Sequence, residues 1–187
     1  IIKSFRANFL LNTILASSAF YLFFITLRDF LMSKFQNISQ NLAHFGFSLL
    51  ILSILFNNIF STEIITNMKI GETFESKNFK INFENIDQKK EKNFQAIIGK
   101  FNVENLNGST EILKPQLRIY NQPNIVTSEA DIKTNLLTDK FMTMNVVQNQ
   151  DYFNIRYQIK PFMIWIWFSV LLISAGGFIS FFKKRKR

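Results

Sequence analysis

The sequence predicts a membrane protein of about three transmembrane α-helices, with a small all-β extracytoplasmic domain inserted before the last helix. Three observations carry that prediction. Apolar runs near both ends and at residues 41–60 each reach the roughly 20 residues a helix needs to cross a bilayer's hydrocarbon core. Phe is abundant, at 23 of 187 residues, as suits lipid-facing helices. The intervening stretch is polar, and several of its segments alternate apolar with polar residues, the period of a half-buried strand.

Residues 1–60 read as two transmembrane helices, about 8–27 and 41–60, joined by a cytoplasmic loop, 28–40. The first span, Asn8–Leu27, carries Ala16, Ser17, Ser18 and Ala19, small residues that suit close helix packing. A signal peptide is its rival, but Arg28 and Asp29 follow in place of a small-residue cleavage site. Ile1 is not a start methionine, so the chain reads as a piece of a longer or processed protein. The second span, Asn41–Phe60, holds His44, the only histidine.

Residues 61–160 form the β-rich domain. Phe79–Phe83, Gln116–Tyr120 and Phe153–Ile159 alternate cleanly, and Gln95–Val103 and Phe141–Val147 are further strands. Ile70-Gly71-Glu72 and Leu106-Asn107-Gly108-Ser109 are turn signals, the Asn-Gly pair marking a hairpin. Asp87–Lys92 reads as a charged loop. Ser128-Glu129-Ala130-Asp131 reads as the start of a short helix, with Ser128 as its N-cap. Residues 161–187 are the last span, Pro161–Phe182, and a basic tail.

The formal net charge of +9 is unevenly placed. Between Ser61 and Lys160, 13 basic side chains nearly balance 12 acidic ones. The excess sits beside the apolar spans, above all in Lys183–Arg187, where it orients the protein and meets anionic headgroups. No nucleic-acid partner is expected from such a distribution. The positive-inside rule puts the tail in the cytoplasm, the β-domain outside, and the His44 helix running outward. Trp165 and Trp167 then fall at the outer interface, where amphipathic rings collect. Lys3 and Arg6 would lie outside, against the rule, which upstream helices would explain. The absence of cysteine excludes disulfides, thiolate metal sites and thiol nucleophiles.

His44 is the chemical focus. Asn41, His44 and Ser48 share a helix face, a polar stripe expected to point into a bundle. Gly46 would let a helix or a flat ligand approach closely. Three roles are open to the imidazole: a structural hydrogen-bonding group, a metal or haem ligand, or a proton relay. It stands about 5–6 Å inside the cytoplasmic edge. A six-coordinate haem would need its second ligand from sequence absent here. With no His or Cys, the β-domain has no triad or His-ligated metal chemistry, and a binding or scaffolding role is its default reading.

Four strings then occur in order. Leu42-Ala43-His44-Phe45-Gly46 resembles the LAHxG motif of the CcmF family, haem lyase subunits of bacterial cytochrome c maturation. Met68-Lys69-Ile70-Gly71-Glu72-Thr73 resembles that family's turn after the helix. Pro115-Gln116-Leu117-Arg118-Ile119-Tyr120, followed by Ser128-Glu129-Ala130-Asp131-Ile132, resembles its P-x-x-R-x-Y…(T/S)-E-A-x-I signature. Lys160-Pro161-Phe162-Met163-Ile164-Trp165-Ile166-Trp167 resembles the approach to its last helix. Phe141 stands where the family tends to carry Tyr, a conservative departure.

The resemblance implies a component of a cytochrome c haem lyase (holocytochrome c synthase), which joins haem to the CxxCH thiols of apocytochrome c. It implies that His44 is one axial ligand of a transmembrane b-type haem. The partner histidine and the catalytic tryptophan-rich segment would belong to upstream sequence, leaving no catalytic residue in this segment. It implies a CcmE-like haem chaperone and a CcmH-like apocytochrome-handling subunit as partners. The setting implied is the bacterial inner membrane, with the β-domain in the periplasm. The alternatives are a non-catalytic membrane-anchored β-domain acting as a scaffold, and a paralogue dedicated to one multihaem cytochrome.

Overall fold

The computed structural model describes residues 9–32, 37–106, 108–147 and 149–185. Lys3, Arg6, Asn8, Lys34, Asn107, Lys186 and Arg187 lie outside the described residues. The chain divides into two units. A helical unit takes in the chain up to Phe60, Leu136–Thr138, and everything from Pro161 onward. A β unit takes in Ser61–Asn135 and Asp139–Lys160.

The helical unit contains α1 (Phe9–Met32), α2 (Ile38–Phe60) and α3 (Met163–Arg185). Each has an apolar stretch long enough to span a membrane: Thr13–Met32, Ile38–Phe60 and Met163–Lys183. This is a membrane protein with an inserted β domain. The helices outrun their apolar runs, so much of the predicted 28–40 loop is helical. Arg28 and Asp29 continue α1: Arg is a good helix former, and the small propensity cost of a single exposed Asp does not end a helix.

Side-chain chemistry explains the packing. Thr26 of α1 and Ser48 of α2 are buried and share a hydrogen bond of 2.6 Å. In lipid such a pair needs a partner, and interhelical hydroxyl bonds supply one. Phe45 of α2 lies between Phe23 and Phe30 of α1, with ring centroids 5.7 and 5.5 Å away. Against α3, two glycines set the spacing. A Cβ on Gly46 would sit 3.0 Å from the Ile173 backbone nitrogen, and one on Gly176 would sit 2.7 Å from the Ser39 carbonyl oxygen. Of the four small residues in α1, only Ala19 is buried. The Ser17 and Ser18 hydroxyls donate back to the Thr13 and Ile14 carbonyls.

The β unit is two antiparallel sheets packed face to face. Its strands are β1 (Thr62–Met68), β2 (Thr73–Glu75), β3 (Phe79–Lys90), β4 (Phe94–Asn105), β5 (Thr110–Leu113), β6 (Gln116–Tyr120), β7 (Val126–Glu129), β8 (Asp131–Thr134), β9 (Thr138–Val146) and β10 (Phe153–Pro161). One sheet runs β1-β10-β9-β8; the other runs β2-β3-β4-β6-β7, with β5 also paired to β4. The core takes Met68, Met142, Met144, Ile155 and Tyr157 from the first sheet. Phe79, Ile81, Phe83, Phe101, Val103, Leu113 and Leu117 come from the second. Phe83 stacks on Phe101 at 4.2 Å. Gly99 makes room there, since a Cβ would lie 2.6 Å from the Phe101 ring and 2.8 Å from the Met144 sulfur.

All five predicted strands are present. Two other expectations fail. Asp87–Lys90 is not loop but the end of β3, paired with Gln95–Ile98. A bulge between Phe83 and Asn85 shifts the alternation there, so that Ile86 turns inward. Ser128–Asp131 is not helical: it spans the end of β7 and the start of β8. The Ser128 hydroxyl donates to the Met144 carbonyl, 2.8 Å away, and so ties the two sheets.

Candidate functional site

His44 is the seventh residue of α2 and lies on its exposed side. The predicted stripe therefore splits. Ser48 faces α1 through Thr26, and the Asn41 amide donates to the Asp29 carbonyl at 3.3 Å. His44 points into neither neighbour. It shares an open face of α2 with Phe47 and Ile54, each about half exposed. Gly46 is occupied by α3, so the close approach it permits here is that of a helix. Among the described residues His44 has no hydrogen-bond partner, and the polar contacts between α1 and α2 are the Thr26–Ser48 and Asn41–Asp29 bonds. The sequence reading named Ser48 and missed Thr26.

A lone imidazole on an apolar helix face is a single nitrogen donor. Among the described residues no group of three or more His, Asp or Glu could hold a metal ion. One imidazole suits a metal held mainly by its own macrocycle, where the protein contributes an axial ligand. It does not suit a bare ion, which needs several protein ligands. The donor set thus fits haem, and the flat Phe47 ring beside it fits an apolar ring system.

In the β unit, the residues of the P-x-x-R-x-Y and S-E-A-x-I strings make contacts within the sheets. Pro115 is buried, and its carbonyl accepts from the Gly99 N–H at 3.0 Å. The Arg118 guanidinium lies 5.1 Å from the Phe94 ring centroid and 4.0 Å from the Glu129 carboxylate on β7. Tyr120 packs on the same Phe94 ring at 5.4 Å. The Asp131 carboxylate accepts from the Lys114 N–H at 2.6 Å. These contacts tie β4 to β6, β6 to β7, and the β5–β6 connection to β8.

The Lys160–Trp167 string makes the passage from strand to helix. Phe162 has φ of 60°, uncommon for a residue with a side chain. Its N–H donates to the Leu137 carbonyl at 2.7 Å, its ring meets Phe56 at 5.1 Å, and Asn57 caps the Pro161 carbonyl at 2.6 Å. Trp165 donates its indole N–H to the Leu136 carbonyl at 2.8 Å, and Trp167 is exposed.

One part-buried polar cluster had no sequence signal, because its members are far apart in the chain. Lys140 of β9 pairs with Glu111 of β5 at 2.6 Å and reaches Asn105 at 3.4 Å. Nearby Tyr157 is buried, and its hydroxyl has no hydrogen-bond partner among the described residues. Burial, and then the Glu111 charge, push its pKa well above the ordinary tyrosine value.

A family model described as the CcmF C-terminal β-sandwich matches residues 59–161, more than half of the chain. The chain belongs to the CcmF family. It is 25% identical over 148 residues to the cytochrome c-type biogenesis protein CcmF of Pseudomonas aeruginosa, covering 79% of this chain and 22% of that protein. CcmF of Haemophilus influenzae is 28% identical over 148 residues, covering 78% of this chain and 22% of that protein. The probable cytochrome c-type biogenesis protein NrfE of Escherichia coli is 25% identical over 166 residues, covering 87% and 30%. A solved structure named cytochrome c heme lyase CcmF has the same fold, with a TM-score of 0.61 at 16% identity. That match covers 82% of this chain and 27% of the other. The chain spans about a fifth of the length of the first of these CcmF relatives.

Proposed function

We propose that this chain serves cytochrome c maturation as part of a CcmF-type haem lyase, and that His44 supplies one axial ligand of a b-type haem within the membrane. The observation that carries the reading is a solitary imidazole, without a hydrogen-bond partner among the described residues, on the open apolar face of a membrane-spanning helix. The family match supports it. A bound haem supplies one-electron iron chemistry. His44 holds the nitrogen donor, Phe47 and Ile54 keep water from that face, and the Thr26–Ser48 bond fixes the helix that carries them. No residue of this chain is assigned to formation of the thioether bonds between haem and the CxxCH thiols.

On this reading the protein lies in the bacterial inner membrane, with Lys183–Arg187 in the cytoplasm and the β unit in the periplasm. Its partners are apocytochrome c, a CcmE-like haem chaperone and a CcmH-like apocytochrome-handling subunit. The test is complementation. Cells lacking the native protein and expressing full-length His44→Ala should lose most haem-stained c-type cytochrome, and added imidazole should restore part of it. Normal cytochrome levels in the variant without imidazole would overturn the assignment.

A further inference from the structure

We propose that the β8–β9 turn, Asn135-Leu136-Leu137, dips into the bilayer beside the Met163 end of α3 and presents Leu136 and Leu137 to lipid. The turn is chemically odd for one facing water. Such turns are usually built from Gly, Pro, Asn, Asp or Ser, and this one carries two adjacent leucines, 72% and 59% exposed.

Their position is fixed by backbone chemistry. The Leu136 carbonyl accepts the indole N–H of Trp165 at 2.8 Å, and the Leu137 carbonyl accepts the N–H of Phe162 at 2.7 Å. Both donors lie at the start of α3, whose apolar span opens at Met163. Leu136–Thr138 belong to the helical unit, not to the β unit that contains the strands on either side. The span of 21 residues rises about 31 Å, close to the roughly 30 Å of hydrocarbon it must cross. The turn therefore sits at the level where the apolar core begins.

The anchoring indole has an apolar neighbour of the same kind: Phe168, one turn along α3, lies 6.0 Å from the Trp165 ring and is itself about half exposed. Tryptophan prefers this level because its N–H seeks a polar partner while its ring stays apolar. Here the partner is a carbonyl of the turn, so the indole binds the leucines to the interface. The occupant is lipid: the surface is apolar, and it is held at the mouth of a helix long and apolar enough to cross a membrane.

This segment has no cysteine, so Leu136→Cys and Leu137→Cys each create a labelling site at an exposed position once any cysteine elsewhere in the full-length protein has been replaced by serine. Full-length protein carrying an environment-sensitive NBD label is reconstituted into phosphatidylcholine vesicles, with labelled Phe178→Cys as the reference inside the α3 span. The expected result is blue-shifted emission at both turn positions, strong quenching by lipids with a nitroxide high on the acyl chain, weaker quenching by a deep nitroxide, and little by aqueous iodide. Emission as in water with full quenching by iodide would overturn the proposal. Protection from both lipid and aqueous quenchers would also overturn it, since protein would then cover the turn.

Discussion

Replacing Tyr157 with Phe should stabilise the β unit. The side chain is 1% exposed, and its ring packs edge-on to Phe79 at 5.0 Å, a contact Phe keeps. Only the hydroxyl is lost, and it has no hydrogen-bond partner among the described residues. A buried unsatisfied hydroxyl costs about 1–3 kcal/mol, so a gain of about 1–2 kcal/mol is expected. The slowest-exchanging amides of β9 and β10 should then exchange about 5–30-fold more slowly, as read by hydrogen exchange and mass spectrometry on the full-length protein. The effect carries a pH signature. In the unfolded chain the phenol ionises near pH 10, whereas in the folded protein it holds its proton to higher pH. Below pH 10 both states keep the proton and the wild type is unaffected. Above it the unfolded state loses the proton first, and wild-type stability falls by up to about 1.4 kcal/mol per pH unit. Tyr157→Phe lacks this loss, so its advantage should widen as pH rises past 10. Faster exchange in the variant at neutral pH would show that the hydroxyl is well bonded and would refute the reasoning.

Lys140→Met should destabilise the β unit by about 2–3 kcal/mol, because it leaves the Glu111 carboxylate without its cation; the partial exposure of Glu111 keeps the loss below that of a fully buried pair. Adding Glu111→Leu should recover most of it in the same exchange assay. In the helical unit, Gly176→Leu should cost about 1–3 kcal/mol, because its Cβ would meet the Ser39 carbonyl and the Ala43 nitrogen, backbone atoms that cannot swing aside. Gly177→Ala, with open space around it, should be nearly neutral, and SDS titration followed by tryptophan emission compares the two. A double-mutant cycle of Thr26→Val and Ser48→Ala in that titration should return a coupling of about 0.6 kcal/mol and below about 2.

Long apolar runs and clean alternation made the three helices and five strands legible, since both report burial directly. The misses have local causes. The apolar partners of Asp87–Lys90 lie on β4, so a charged segment that borrows its strand character from a neighbour looks like a loop. The bulge at Glu84 also breaks its alternation. Ser128 looks like a helix cap because its hydroxyl can accept from backbone N–H groups; in the fold the same hydroxyl donates across the sheets. β1 follows directly on a membrane helix, and its adjacent Ile64 and Ile65 give no period to read. At the candidate site, helical spacing correctly put Asn41, His44 and Ser48 on one side of α2. It could not say which edge of that side a neighbour covers, and only the Asn41 and Ser48 edge meets α1.

The central claim is that His44 binds haem iron, and the absorption spectrum of purified full-length protein tests it most directly. The wild type should show the reduced low-spin bands of a b-type haem, and His44→Ala should weaken or abolish them while the β unit stays folded by hydrogen exchange. An unchanged spectrum in His44→Ala would contradict the account.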